Sequence, residues 1–136
     1  MRSLFWVYMV LNTGILSFGV LYLLKLKIMP YHEEVIKMKW DELQPEFQYL
    51  LKAFLAGIGI PFIIIALLNY AILLIPFRRG EFWAILVVPI VGIIFNIGGV
   101  IVAHYLHTKS GAKTPTLAPA IALAVFPLGL IFSLMH

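Results

Sequence analysis

Four histidines, three asparagines and a short run of carboxylates are the side chains in this sequence with chemistry to offer. His104 and His107 stand three residues apart, so on a helix they share a face. Glu33 and Glu34 follow His32 directly. Imidazole and carboxylate together ligate zinc or iron, which makes these five residues a candidate metal set. The competing reading is a group of solvated residues beside apolar runs. Haem ligation by two of the histidines is a further alternative, but no haem-attachment motif accompanies them. The chain has no cysteine, which removes disulfides, thiolate metal sites and cysteine nucleophiles. No Walker A loop, GxGxxG, HExxH or GxSxG is present. Thr13, Ser17 and Ser133 are hydroxyls in apolar runs with no neighbour to activate them. No cofactor is expected, and no reaction is forced by any stretch of the chain.

The amides read differently. Asn12 lies nine helical steps from the start of the first apolar run, about 14 Å at ~1.5 Å per residue. Asn69 lies about 14 Å from Arg78 and Asn96 about 21 Å from Phe82 on the same arithmetic. All three distances start from one side of a membrane, so the three amides fall at comparable depth on three helices. An unsatisfied amide in lipid costs several kcal/mol, and all three are expected to face inward. One reading of Asn12, Asn69 and Asn96 is an interhelical hydrogen-bond cluster. The other is a polar site for a headgroup or small ligand.

These side chains must be carried by membrane-spanning elements. The chain has 136 residues, 62% hydrophobic and 12% charged, with a mean hydropathy of +1.02. Soluble domains are nearer half apolar and a quarter charged. Apolar runs at about 3–24, 50–77, 82–105 and 116–135 are each long enough for one span. They predict an all-α bundle of four transmembrane helices in a single membrane domain over 1–136. The first run is too long for a signal peptide and is followed by Lys25 and Lys27 rather than a cleavage site, so it reads as an uncleaved span. A partly polar stretch at about 30–44 reads as a short interfacial helical segment, opened by Pro30 and anchored at headgroup level by Tyr31 and Trp40. From Pro45 onward only Pro61 interrupts the second helix before Phe77, which predicts a tilt, a kink or a start outside the bilayer. Residues 104–113 read as a polar loop, and Thr114-Pro115 as the next helix start.

Pro76 to Ala84 is the charged turn between the second and third spans. Arg78 and Arg79 sit where a helix C-terminus favours cations, Glu81 where the next N-terminus favours an anion, and Gly80 supplies a left-handed turn. The two arginines are also a candidate site for an anionic lipid or partner. The net charge of +4 lies beside apolar runs, where basic residues set topology, and nucleic-acid binding is not expected. Arg2, Arg78 and Arg79 share one membrane side and all seven lysines the other. The positive-inside rule then puts the first and third connections in the cytoplasm and both termini outside. No Asp, Glu, Lys or Arg lies in the middle of a span, which argues against a proton-coupled transporter. Small residues four apart at Ala53/Gly57, Gly99/Ala103, Ala118/Ala122, Ala120/Ala124 and Gly129/Ser133 are expected packing seams.

Met29-Pro30-Tyr31-His32, Trp40 with Leu43, Pro76-Phe77-Arg78-Arg79-Gly80-Glu81, Trp83-Ala84, Pro89 and Thr114-Pro115 together resemble a bacterial family of small four-span integral membrane proteins. The resemblance covers roughly residues 29 to 135. It implies a fold and an inner-membrane location, and no activity; in that family His104 and His107 would be ordinary basic loop residues. The resulting expectation is a non-enzymatic accessory or scaffold subunit that acts through helix-face contacts with itself or a larger membrane complex. The alternative is a small carrier or binder of a lipid or apolar solute using the Asn layer, and a third is a metal-dependent membrane enzyme.

Overall fold

The computed structural model describes residues 2–25 and 27–135; the Arg2 side chain, counted above for orientation, lies outside the described residues. Five α-helices follow in order: α1 (Arg2–Leu24), α2 (Pro30–Ile36), α3 (Pro45–Ile72), α4 (Phe82–Ser110) and α5 (Leu117–Leu134). No strand occurs among the described residues. Four of the helices, α2 excepted, are long and apolar enough to cross a membrane. The fold is therefore the all-α bundle of four spans that the hydropathy predicts.

Local chemistry sets the boundaries. Pro30 opens α2 at a position that needs no N–H. His32 Nδ1 accepts the Met29 N–H at 3.1 Å, the reciprocal half of a capping box. Lys37, in the left-handed conformation at φ 55°, ends this helix. A 3-10 turn at Trp40–Glu42 follows. It is tied down by side chains: Glu33 Oε1 accepts the Trp40 N–H at 3.0 Å, and Gln48 Nε2 donates to the Trp40 carbonyl at 2.9 Å. Trp40 was expected to reach lipid headgroups. It is instead only 5% exposed, packed with Ile28 and Leu55, with the Lys52 ammonium 5.6 Å from its ring centre. Cation–π attraction and burial outweigh an interfacial seat for this indole.

α3 runs straight through Pro61, which removes one backbone bond to the Gly57 carbonyl without ending the helix. It then widens into a π-helical turn, Leu73–Phe77, around Pro76. That turn accommodates a second missing N–H by shifting to longer bonds, as in Glu81 N–H to the Pro76 carbonyl at 3.0 Å. With the π turn the element has 33 residues, about 50 Å at ~1.5 Å each. This exceeds a hydrocarbon core of about 30 Å, so the element must tilt or extend beyond it. Gly80 takes φ 75° in the charged turn, as its type predicts. α4 corrects one boundary. The stretch 104–113 is not a loop, because the helix continues to Ser110 and stops only where Gly111 adopts φ 73°. The connection to α5 is correspondingly short. Thr114 is not its cap: the hydroxyl donates to the Ala103 carbonyl of α4 at 2.9 Å instead.

α1 packs mainly on α3, and α4 on α5. The α1–α3 crossing is set by two glycines. A Cβ on Gly59 would lie 2.7 Å from the Gly19 carbonyl oxygen, and one on Gly19 would lie 2.9 Å from the Ile63 backbone nitrogen. Such close backbone approach is what associates helices in lipid. The expected small-residue seams hold only in part. Ala103, Ala122, Gly129 and Ser133 are buried, whereas Ala53, Gly57, Ala118, Ala120 and Ala124 are exposed. The two helix pairs meet at the end that carries the termini, where Tyr8, Leu73, Phe77, Val88 and Phe126 form the main core. Tyr8 stacks on Phe126 with ring centres 5.5 Å apart and meets Phe77 edge-on at 5.7 Å.

Candidate functional site

Away from that core the pairs separate. Between them lies a cavity of about 620 Å³. Its walls are apolar, with Leu11, Ile15 and Phe18 from α1, Phe62 from α3 and Phe95 from α4. Phe62 and Phe95 meet across the two pairs, edge to face, with centres 4.6 Å apart. Val10 and Val102, which also line the cavity, are exposed, so its rim reaches the surface of the bundle. Two of the lining glycines explain the space: a Cβ on Gly14 or Gly98 would meet nothing within 4 Å.

The cavity is polar at two levels only. At its deep part Asn96, 7% exposed, lines the wall. Its Nδ2 donates to the Gly92 carbonyl of its own helix at 2.7 Å. Its Oδ1 accepts nothing from the described residues. At the opposite end, under α2, stand Tyr22, Tyr31 and His32. The Tyr22 and Tyr31 hydroxyls bond to each other at 2.5 Å. Met29 N–H occupies His32 Nδ1, so the neutral ring carries its proton on Nε2. Burial first, and then the charge of Lys25, hold the His32 pKa below its ordinary value of 6.5. Burial and the Tyr22 hydrogen bond push the Tyr31 hydroxyl pKa well up. Both groups are therefore neutral near pH 7 and act as hydrogen-bonding groups.

The three amides are all buried, Asn12 and Asn69 at 2% and 5% exposure, but they do not bond to one another. Asn12 Nδ2 donates to the Ala66 carbonyl of α3 at 2.8 Å, and its buried Oδ1 has no partner among the described residues. Asn69 makes no side-chain hydrogen bond among them. Of the three only Asn96 reaches the cavity.

The five metal candidates are not brought together. Among the described residues no three His, Cys, Asp or Glu side chains form a group able to hold a metal ion. His32 lines the main cavity, whereas His104 and His107 line a separate recess of about 350 Å³ with Lys113, Thr114 and Thr116. Three of the candidates are engaged elsewhere. His107 Nδ1 bonds the Ala112 carbonyl at 2.8 Å. Glu34 accepts the Lys113 N–H at 3.0 Å. Glu33 caps the 3-10 turn through the Trp40 N–H, and that bond, with help from Lys39 3.5 Å away, holds its carboxyl below the usual range. At the charged turn Arg78 lies over the Phe5 ring at 5.7 Å, and Glu81 accepts from Trp83 Nε1 at 2.7 Å. Arg79 is exposed.

Sequence reasoning missed Tyr22, Tyr31, Gly14 and Gly98 as cavity residues. The tyrosines carried a signal. They lie on either side of the connection from α1 to α2, and helices that follow each other across a short connection bring such residues together. Comparison with family models, curated proteins and solved structures finds no match for this chain.

Proposed function

We propose that the protein binds one lipid or apolar solute molecule in the cavity between its two helix pairs. The observation that carries this reading is the cavity itself. Its volume of about 620 Å³ sits within the ~300–1,000 Å³ range of single small-molecule sites, and apolar walls with few converging polar groups are the mark of such sites. In a membrane, lipid reaches a rim of this kind without crossing water. The motif resemblance and the lysine asymmetry support a bacterial inner-membrane setting with both termini outside the cytoplasm.

The test is native mass spectrometry of protein released from mild detergent. The wild type should carry one amphiphile. The variant Gly14→Leu/Gly98→Leu should lose it, because side chains at these positions enter the cavity without meeting protein. An adduct that persists in the filled variant, or a wild type that neither carries nor takes up an acylated probe, sinks the reading.

One observation favours the scaffold reading beside it. Ala53 and Gly57 turn a small-residue face of α3 outward, and such faces admit a neighbouring helix at close range. Gly57→Leu would then disrupt assembly with a second copy or a larger complex. A monodisperse monomer for both forms, with no copurifying partner, counts against it.

A further inference from the structure

We propose that the occupant of the cavity is a single-chain lipid acid carrying a mid-chain hydroxyl, with its carboxylate under α2 and its hydroxyl on Asn96. The inference rests on the cavity reading above and adds the chemistry of the ligand.

The α2 end offers free donors, beside Thr114, whose hydroxyl hydrogen is already given to the Ala103 carbonyl. His32 Nε2–H finds no acceptor among the described residues. The Tyr22–Tyr31 bond uses one of the two hydroxyl hydrogens, which leaves the other free to donate. The nearby carboxylates do not compete, since Glu33 and Glu34 are each bound to backbone N–H groups. Lys25, whose Nζ donates to Met29 Sδ at 3.0 Å, places one positive charge near His32. Two neutral donors beside a lysine match a carboxylate, which accepts several hydrogen bonds and carries one negative charge. An alcohol or ester head would leave that charge unanswered.

The length fits one chain. Twelve residues separate Tyr22 from Val10 along α1, about 18 Å at ~1.5 Å each. Half of a ~30 Å hydrocarbon core is about 15 Å. A chain lying along α1 with its head at headgroup depth therefore reaches about the bilayer midplane. The deep part holds the second determinant. Asn96 is 7% exposed and lines the cavity, and its Oδ1 accepts from none of the described residues, so it is an acceptor open to a donor inside the cavity. Ten residues separate it from Leu106 at the α2 end, about 15 Å at ~1.5 Å each. A hydroxyl at that distance from the carboxylate would donate to it.

The experiment is displacement of bound cis-parinaric acid from the full-length protein in phosphatidylcholine nanodiscs. Ricinoleic acid, oleic acid, oleyl alcohol and methyl oleate serve as competitors; the first two differ by one mid-chain hydroxyl. Both acids should outcompete the alcohol and the ester by about tenfold or more, the worth of one charge-assisted hydrogen bond. Ricinoleic acid should outcompete oleic acid. His32→Asn keeps an acceptor for the Met29 N–H and deletes the Nε2 donor, so it should narrow the acid preference while the fold persists. Asn96→Leu should erase the ricinoleic preference and leave oleic acid binding in place. Equal competition by oleyl alcohol, or no advantage for ricinoleic acid, overturns the proposal yet leaves the cavity reading standing. Failure of every competitor and of parinaric acid itself removes both.

Discussion

The packed seams and the cavity wall of this bundle use glycine in opposite ways. At the terminal end Gly92 and Gly129 make room for a neighbour, because a Cβ on either would collide with the Phe126 ring or the Tyr8 hydroxyl. At the α1–α3 crossing Gly19 and Gly59 let two backbones touch. On the cavity wall Gly14 and Gly98 face open space. In lipid, helices gain little from hiding apolar surface and are held by packing contacts. A bundle that keeps a cavity at one end must therefore concentrate its cohesion elsewhere. The aromatic stack of Tyr8, Phe77 and Phe126 and the Gly19–Gly59 crossing are where it does so.

The largest effect should come from breaking the closed end. Phe126 is buried in the core and also forms the floor of the cavity. Phe126→Ala should lower stability by about 3–5 kcal/mol, as truncation of a packed aromatic does. Thermal unfolding followed by circular dichroism in detergent measures it. A loss below about 1 kcal/mol would mean that the end is not close-packed.

The two glycine classes give the next, sharper test. Gly59→Ala should cost about 1–3 kcal/mol, because the added methyl presses on backbone that cannot rotate away. Gly98→Ala should instead be neutral or stabilise by up to about 1 kcal/mol through helix propensity. The same substitution thus has opposite signs at a packed and at an open glycine. Equal losses at both positions would erase the distinction between packed and open glycine.

How much of this was legible beforehand follows from what each feature depends on. The spans, the Gly80 turn and the opening of α2 at Pro30 are local, and hydropathy or backbone preference specifies them. The end of α4 was misplaced because His104 to Lys109 are polar, and polarity was allowed to outrank the Gly111 stop signal. Helix pairing depends on surfaces far apart in the chain. Gly19 and Gly59 form the tightest seam, yet neither belongs to a four-residue small pair of the kind that sequence inspection finds. The cavity depends on what is missing between two pairs and has no local signature. The burial of the three amides was readable from cost alone, but their partners are backbone carbonyls, which any sequence supplies. His104 and His107 share a recess as their spacing predicts, but spacing along one helix says nothing about His32 on another element.

Asn12 tests cohesion on the packed side at smaller scale. Its bond to the Ala66 carbonyl links α1 to α3, and interhelical bonds of this kind average about 0.6 kcal/mol. Its Oδ1 is buried without a partner, a penalty that substitution by an apolar residue removes. Asn12→Leu should therefore change stability by less than about 1 kcal/mol. A loss several times larger would show that Asn12 has another partner in the membrane.

The smallest effect belongs to the open end, and it is a pH dependence. The folded protein holds His32 below its ordinary pKa of 6.5, by burial first and by Lys25 second. The neutral ring is the form that accepts the Met29 N–H. Below pH 6.5 the unfolded chain takes up a proton that the folded one resists. The contribution of His32 is thus fully present above that value and is lost as pH falls through the folded pKa. Partial exposure of the ring to solvent keeps this contribution small. Glu33 acts in a separate window. Its carboxyl is held below 4.5 by the Trp40 N–H, so the stability it lends is lost only in more acidic solution. Thermal midpoints measured from neutral pH downward should then show a first decline beginning near 6.5, and His32→Asn should abolish that decline while leaving the more acidic one. A wild type whose midpoint stays flat down to the carboxylate range would remove His32 from any part in holding α2 over the cavity.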